Sequence, residues 1–307
     1  MSMLSEAKKV TIWILLTESI LILSTRLGAF LHEFVGHGLM AILVGGRFES
    51  FRLTLFAGGE ARFTGNFGET AYLLVCLGGI LTNLAAGLAA LWLLRKRYLS
   101  FPATLFVLFL AGVCILSQLQ YLILGAYYQY GDPACLAAYP SFSFLIWAGG
   151  LAVLAGFSFS FFRHFFRLQD VYFPKRRFHK RAVISLCLLG LPVLWYATLY
   201  HYAQTPLSST AAVREARLRL QEKAEQIKIE TKSEQSIDEI IEDLEPHPVM
   251  PWIMVIYFLA ALSAFLFPGN VDRGKNFPPL PCSFLSIIPW ILTSIVTLAV
   301  IVALWRP

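Results

Sequence analysis

Apolar segments of about 20 residues, each long enough to cross a bilayer as a helix, recur along this chain and are separated by short polar or basic stretches. Spans are expected at about 10–44, 72–94, 101–125, 144–162, 182–202, 252–267 and 284–305. The first is unusual in length: as one helix it would run about 50 Å, so it is tilted, bent or partly outside the bilayer. It stops at Gly45 and Gly46, and the pattern then changes from helical to alternating. Phe51, Leu53 and Leu55 alternate with Arg52, Thr54 and Phe56. Gly58-Gly59 follows, and then a second short run from Ala61 to Thr64. That is a β-hairpin within 47–65. The only long polar region, 203–250, carries ten acids against six bases. Residues 208–229 read as a helix there, and Ser236 with Glu239 forms a capping box for a second short one. The expected organisation is a membrane core over 1–202, a polar helical region over 203–250 and a closing pair of spans over 251–307.

Composition agrees with this class. Of the 307 residues 57% are hydrophobic and 14% charged, with a mean hydropathy of +0.64, against about 25% charged in soluble domains. The expected fold class is an all-α, multi-pass membrane protein of about six or seven helices with one small hairpin. Cys76, Cys114, Cys135, Cys187 and Cys282 stand singly and form neither a disulfide framework nor a CxxC metal site. The net charge of +6 comes from clusters beside spans, such as the seven Lys or Arg in 163–181. Such clusters set topology and touch lipid; they do not point to nucleic acid. The positive-inside rule puts the N-terminus in the cytoplasm and the hairpin, the 126–139 loop and 203–250 outside. No cleavable signal peptide is expected, because the first apolar segment runs on without a cleavage pattern.

Against this background the ionisable residues inside the first span stand out. Leu31 to Gly46 reads LHEFVGHGLMAILVGG and places His32, Glu33 and His37 at membrane depth, where a charge costs on the order of 3 kcal/mol or more. Two imidazoles beside a carboxylate are the components of a metal-activated hydrolase: neutral nitrogens to hold the ion and a base to take a proton. The spacing is His-Glu-x-x-x-His, one residue longer than the common motif. On a regular helix a spacing of four leaves the rings roughly 40° apart, and five leaves them roughly 140° apart. A single wide π turn absorbs one residue, and Gly36 is the position best able to take up the distortion. The bland alternative is that His32 and His37 are unrelated polar residues facing a neighbouring helix. Glu18 and Arg26, earlier in the span, are either a packed ion pair or solvated beside a cavity. In 126–139, AYYQYGDPACLAAY, Asp132 sits among interfacial tyrosines and is the best candidate for a third, oxygen ligand. Asp272 falls in a loop on the opposite face.

The order of these features resembles the site-2 protease family of intramembrane zinc metalloproteases over roughly Ile22 to Leu136, with His-Glu-x-x-x-His in place of the family's shorter spacing. The resemblance implies Zn2+ held by His32, His37 and Asp132, with Glu33 as general base. It also implies a substrate strand laid along Phe51, Leu53 and Leu55. GGILTN looks like the family's Gly-Pro-x-x-Asn element, which makes Asn83 a further substrate-binding residue. The expected activity is that of an endopeptidase cutting a membrane-embedded or membrane-adjacent segment of another protein, in a bacterial inner membrane. A catalytically inactive relative that binds a membrane partner is the alternative. A transporter is weaker, because no internal repeat or pair of broken helices is visible.

Overall fold

The computed structural model describes residues 3–53, 58–96, 99–128, 131–173, 178–190, 250–266 and 287–304, with single positions at 194, 237 and 285 and most of 221–229. The chain begins with α1 (Met3–Phe30), passes through a π-helical turn (Leu31–Gly38) and ends its first span in α2 (Leu39–Leu43). Gly45 stops it: at φ +88° it lets its own N–H reach the Ile42 carbonyl while the Gly46 N–H reaches the Ala41 carbonyl. This pair of bonds closes a helix end around a left-handed residue. Strands β1 (Arg47–Leu53) and β2 (Gly59–Thr64) pair antiparallel, with Phe51 opposite Ala61 and a shift in register between Phe48 and Ser50. The hairpin follows the first span, as its alternation predicts.

Helices α3 (Glu69–Lys96), α4 (Phe101–Gly112), α5 (Gln118–Tyr128) and α6 (Pro140–Tyr172) build the rest of the bundle. A second π turn (Val113–Ser117) joins α4 to α5, and a short 3-10 helix (Asp132–Ala138) joins α5 to α6. The segment Ala7–Leu43 and helices at Glu69–Arg95, Phe101–Tyr127 and Phe144–Asp170 are each long and apolar enough to span a membrane. Two shorter apolar helices follow, α8 (Met250–Leu266) and α9 (Ile288–Leu304), after α7 (Phe178–Ser185) and its π-helical extension Leu186–Gly190. Apart from Leu194, the remainder of the span expected at 182–202 lies outside the described residues, as do Ser236, Glu239 and Asp272. The described positions within 221–229 are helical, as the 208–229 reading requires.

The core lies toward the N-terminal end of α1. Ile12, Trp13, Leu16 and Ile20 pack there against Phe101, Leu105 and Phe109 of α4 and Phe161, Phe165 and Phe166 of α6. Trp13 is fully buried, with Phe101 and Phe165 ring centroids 5.1 and 5.9 Å away. Between apolar lipid and apolar helices burial gives little drive, so close packing and polar bonds across helices hold such a bundle. One such bond runs from the Ser294 hydroxyl of α9 to the Ser19 carbonyl of α1, 2.9 Å. The outer surface is apolar, with Leu88, Trp92, Phe144 and Phe258 more than half exposed, as a lipid-facing surface requires. This packing anchors α1 at one end and leaves its other end, the π turn, free to form a site.

Candidate metal centre

The five-residue spacing is resolved by local backbone geometry. Phe30 and Leu39, on either side of the π turn, keep ordinary helical dihedrals, so the extra residue is taken up within Leu31–Gly38 and the helix continues in line. Residues five apart in such a turn fall on one face. The His32 and His37 rings accordingly lie 4.8 Å apart, nearly perpendicular. Gly36 is essential to the arrangement for a second reason. A Cβ there would lie 2.4 Å from Gly79 Cα, and one at Gly79 would lie 2.6 Å from the His32 ring. The wide turn therefore packs backbone to backbone on α3.

Each ligand-type side chain has its own support. The Nδ1–H of His37 donates to the Val75 carbonyl on α3 at 2.7 Å. A carbonyl only accepts, so this bond fixes the tautomer and aims Nε2 into the site. His37 is 3% exposed and covered by Phe63 of β2. Asp132 opens the 3-10 helix, after Gly131 at φ +62°, and its backbone N–H donates to the Tyr121 hydroxyl at 2.9 Å. Its Oδ2 lies 2.9 Å from His32 Nε2 and 3.1 Å from His37 Nε2. Burial raises the Asp132 pKa, but the hydrogen bonds and charges of the two imidazoles outweigh burial and hold the carboxyl well below the usual carboxylate range. The three ligand-type atoms lie within 4.8 Å of one another.

That convergence has a chemical implication. With Nδ1–H committed to Val75, a neutral His37 presents its Nε2 lone pair to the Asp132 oxygen. Two lone pairs at 3.1 Å need a proton or a cation between them. The donor set therefore fits a metal ion.

Glu33, 6% exposed, stands beside the cluster under the start of β2: a Cβ on Gly59 would meet its Cγ at 2.6 Å. His32, Glu33, His37 and Asp132 share a cavity of about 900 Å3 with Gly59, Ala61, Phe63, Asn83, Gln118 and Tyr121, among others. Asn83 is 1% exposed, and its Oδ1 has no hydrogen-bond partner among the described residues, so it presents an unused acceptor at the cavity wall. Phe51 and Leu53 line an adjoining groove of about 790 Å3 between α1, β1 and α9, and Glu60 lines both spaces. Leu55 lies outside the described residues. Arg26 lines this groove, whereas both Glu18 carboxyl oxygens are buried without a hydrogen-bond partner among the described residues.

Sequence reasoning did not name Val75 or Tyr121, and it read the second strand, from Ala61 to Thr64, without a place at the site. A backbone carbonyl leaves no trace in side-chain pattern. Tyr121, eleven residues before Asp132, read as part of an apolar span. For β2 a signal existed, since Gly59 opens the strand that returns over the motif helix.

No curated protein and no solved structure matches this chain. Residues 7–127 match the model of a family described as Peptidase M50B-like. The matched stretch holds the π turn with His32, Glu33 and His37, the hairpin, Asn83 and Tyr121, and ends just short of Asp132, which the fold alone carries to the two histidines. Over residues 7–127 the chain is thus similar to the Peptidase M50B-like family, in agreement with the resemblance to site-2 proteases carried by the motif order.

Proposed function

We propose that this protein is a zinc-dependent intramembrane endopeptidase that cuts a membrane-embedded or membrane-adjacent segment of a protein substrate. The observation that carries the reading is the convergence of His32 Nε2, His37 Nε2 and Asp132 Oδ2 beside Glu33 in one cavity. Two imidazoles and one carboxylate are a catalytic zinc set, which leaves a coordination position open. A tetrahedral ion at about 2.1 Å from each ligand needs ligand atoms about 3.4 Å apart, close to the 2.9 and 3.1 Å separations from Asp132. Zinc at such a site supplies Lewis-acid polarisation of the scissile carbonyl and acidifies a water molecule to a pKa of about 7.

The chain's own groups do the rest. His37 is held in the ligating tautomer by Val75, and Asp132 is oriented through its backbone bond to Tyr121. The Glu33 carboxylate takes the proton of the attacking water and delivers it to the leaving amine nitrogen. Asn83 Oδ1 is an acceptor for a substrate backbone N–H. A helical substrate shields its peptide bonds with its own hydrogen bonds, so it must unwind to be cut, and an exposed strand edge is the natural receiver. The hairpin supplies two edges: β2 borders the cavity, while Phe51 and Leu53 of β1 border the adjoining groove. The substrate is a membrane protein, and the bilayer is the medium that delivers it. The wide turn also supports catalysis over an inactive binding relative, because it brings the two histidines to one face despite their spacing of five.

The test is Glu33→Gln in detergent-solubilised full-length protein. Zinc should remain at about one ion per chain while cleavage of membrane-protein substrates is lost. Cleavage retained in the variant removes Glu33 as base, and zinc absent from the wild type removes the reading itself.

A further inference from the structure

Two π turns border one cavity, and the metal centre uses only the first. The second, Val113–Ser117, joins α4 to α5. On a regular helix Val113 and Gln118, five apart, would point roughly 140° away from each other. The wide turn brings them to one face, as the first turn does for His32 and His37, and both line the cavity of the metal centre. The turn is held from two sides. An added Cβ on Gly28 of α1 would stand 3.0 Å from Val113 Cγ1, and one on Gly87 of α3 would stand 2.4 Å from Ile115 Cγ1. Wide turns of this kind collect at functional sites.

Several polar groups on this wall are already engaged. The Ser117 hydroxyl donates to the Val113 carbonyl, the Tyr121 hydroxyl accepts the Asp132 N–H, and Gln120 Oε1 accepts from the Tyr257 hydroxyl of α8 at 3.1 Å. Gln118 differs. Its Oε1 is buried with no hydrogen-bond partner among the described residues, and so is Asn83 Oδ1. A glutamine inside a membrane helix is ordinarily bonded to a neighbouring helix, because an unpaired acceptor is costly where no water reaches it. The cavity therefore holds two amide acceptors, one from α3 and one from α5, suited to a ligand that brings hydrogen-bond donors.

We propose that Gln118 is a receptor for substrate backbone: its Oε1, together with Asn83 Oδ1, accepts backbone N–H groups of an unwound segment lying in the cavity. That the segment is a protease substrate rests on the endopeptidase reading above, whereas the acceptor role does not. An extended chain added to a strand edge bonds to it through alternate residues. The intervening residues turn their N–H groups the other way, and inside a membrane each of these needs an acceptor of its own. Strand β2 borders the cavity through Gly59, Ala61 and Phe63, and α3 and α5 bring Asn83 and Gln118 to the same space. Bare N–H groups at membrane depth are what a helix presents once it has unwound. The pair thus selects for an opened backbone and tolerates varied side chains.

The experiment uses the full chain in detergent, in a Glu33→Gln background so that binding is read without cleavage. The probe is a leucine–alanine membrane-spanning peptide of about 20 residues with a central Gly-Gly pair that weakens its helix. In a series of versions one central amide N–H at a time is replaced by an ester oxygen, which deletes the donor and keeps the length of the chain. Loss of a paired N–H should weaken binding about ten-fold. At one position Gln118→Met should weaken the all-amide peptide by the same factor and abolish the further effect of the ester. Asn83→Ala should do so at a different position, an even number of residues away. Gln118→Leu serves instead if the methionine variant does not unfold cooperatively. A Gln118 variant that responds to every ester as its parent does overturns the proposal, and a probe that does not bind counts the same way. Zinc content and cleavage by the wild type are scored separately. Coupling without either leaves Gln118 as a backbone receptor and removes the endopeptidase reading.

Discussion

Replacing Gly36 with alanine tests the crossing on which the centre depends. The added Cβ would stand 2.4 Å from Gly79 Cα, 2.7 Å from Gly79 N and 2.8 Å from the Gly78 carbonyl oxygen. Carbon atoms rest at about 3.5 Å or more, so the methyl is about 1 Å too close. All three neighbours are backbone, which cannot rotate aside, and either α3 or the π turn must move. Both motions stretch the 2.7 Å bond from His37 to Val75 and shift Gly79 away from the His32 ring it now covers. Overpacking of this kind costs about 1–3 kcal/mol, and a metal-ligating histidine deprived of its orienting partner loses about 10- to 100-fold in affinity. Helix propensity alone would favour alanine by about 1 kcal/mol, so any loss must come from the crossing. The assays are zinc competition against a chelator and thermal unfolding in detergent, with Gly156→Ala on α6 as control because its Cβ meets nothing within 4 Å. The control should be neutral or slightly stabilised. Gly36→Ala with wild-type zinc affinity and melting temperature would refute the backbone contact between the π turn and α3.

Asp132→Ala should remove zinc while Asp272→Ala leaves it bound; metal analysis of the two purified variants decides, and the reverse pattern would transfer the oxygen ligand to Asp272. Tyr121→Phe deletes the hydroxyl that accepts the Asp132 N–H. It should cost about 1 kcal/mol of stability and raise the rate of zinc loss, and an unchanged release rate would show that the tyrosine does not position the aspartate. Gly131→Ala should be worse than Tyr121→Phe, because it combines a residue at φ +62° with a Cβ driven into the Tyr121 hydroxyl; equal melting temperatures for the two variants would count against that backbone conformation.

What could be read from the sequence divides by the range of the forces involved. Bilayer thickness acts on every span alike, so the long helices announce themselves as apolar runs. The alternation of Phe51, Leu53 and Leu55, with the glycines after them, announces the hairpin. The π turn was legible too, although no pattern encodes it directly: a spacing of five from one ligand-type histidine to the next, with a glycine before the second, leaves a wide turn as the local way to bring them together, and Leu31–Gly38 is that turn. The second π turn, Val113–Ser117, carried no such constraint. It was hidden in an apolar run, although Val113 and Ser117 line the cavity.

The supports of the site were illegible for a related reason. They are backbone groups and glycines supplied by distant segments: the Val75 carbonyl, the Gly78-Gly79 face and Gly59 above Glu33. Each is meaningful only once α3 and β2 have been laid against the motif helix. In a bundle held by close backbone approach, not by burial from water, the residues that place the ligands are those with the least side chain. The chemistry is therefore conspicuous along the chain, while its scaffold emerges only from the packing of α3 against the wide turn.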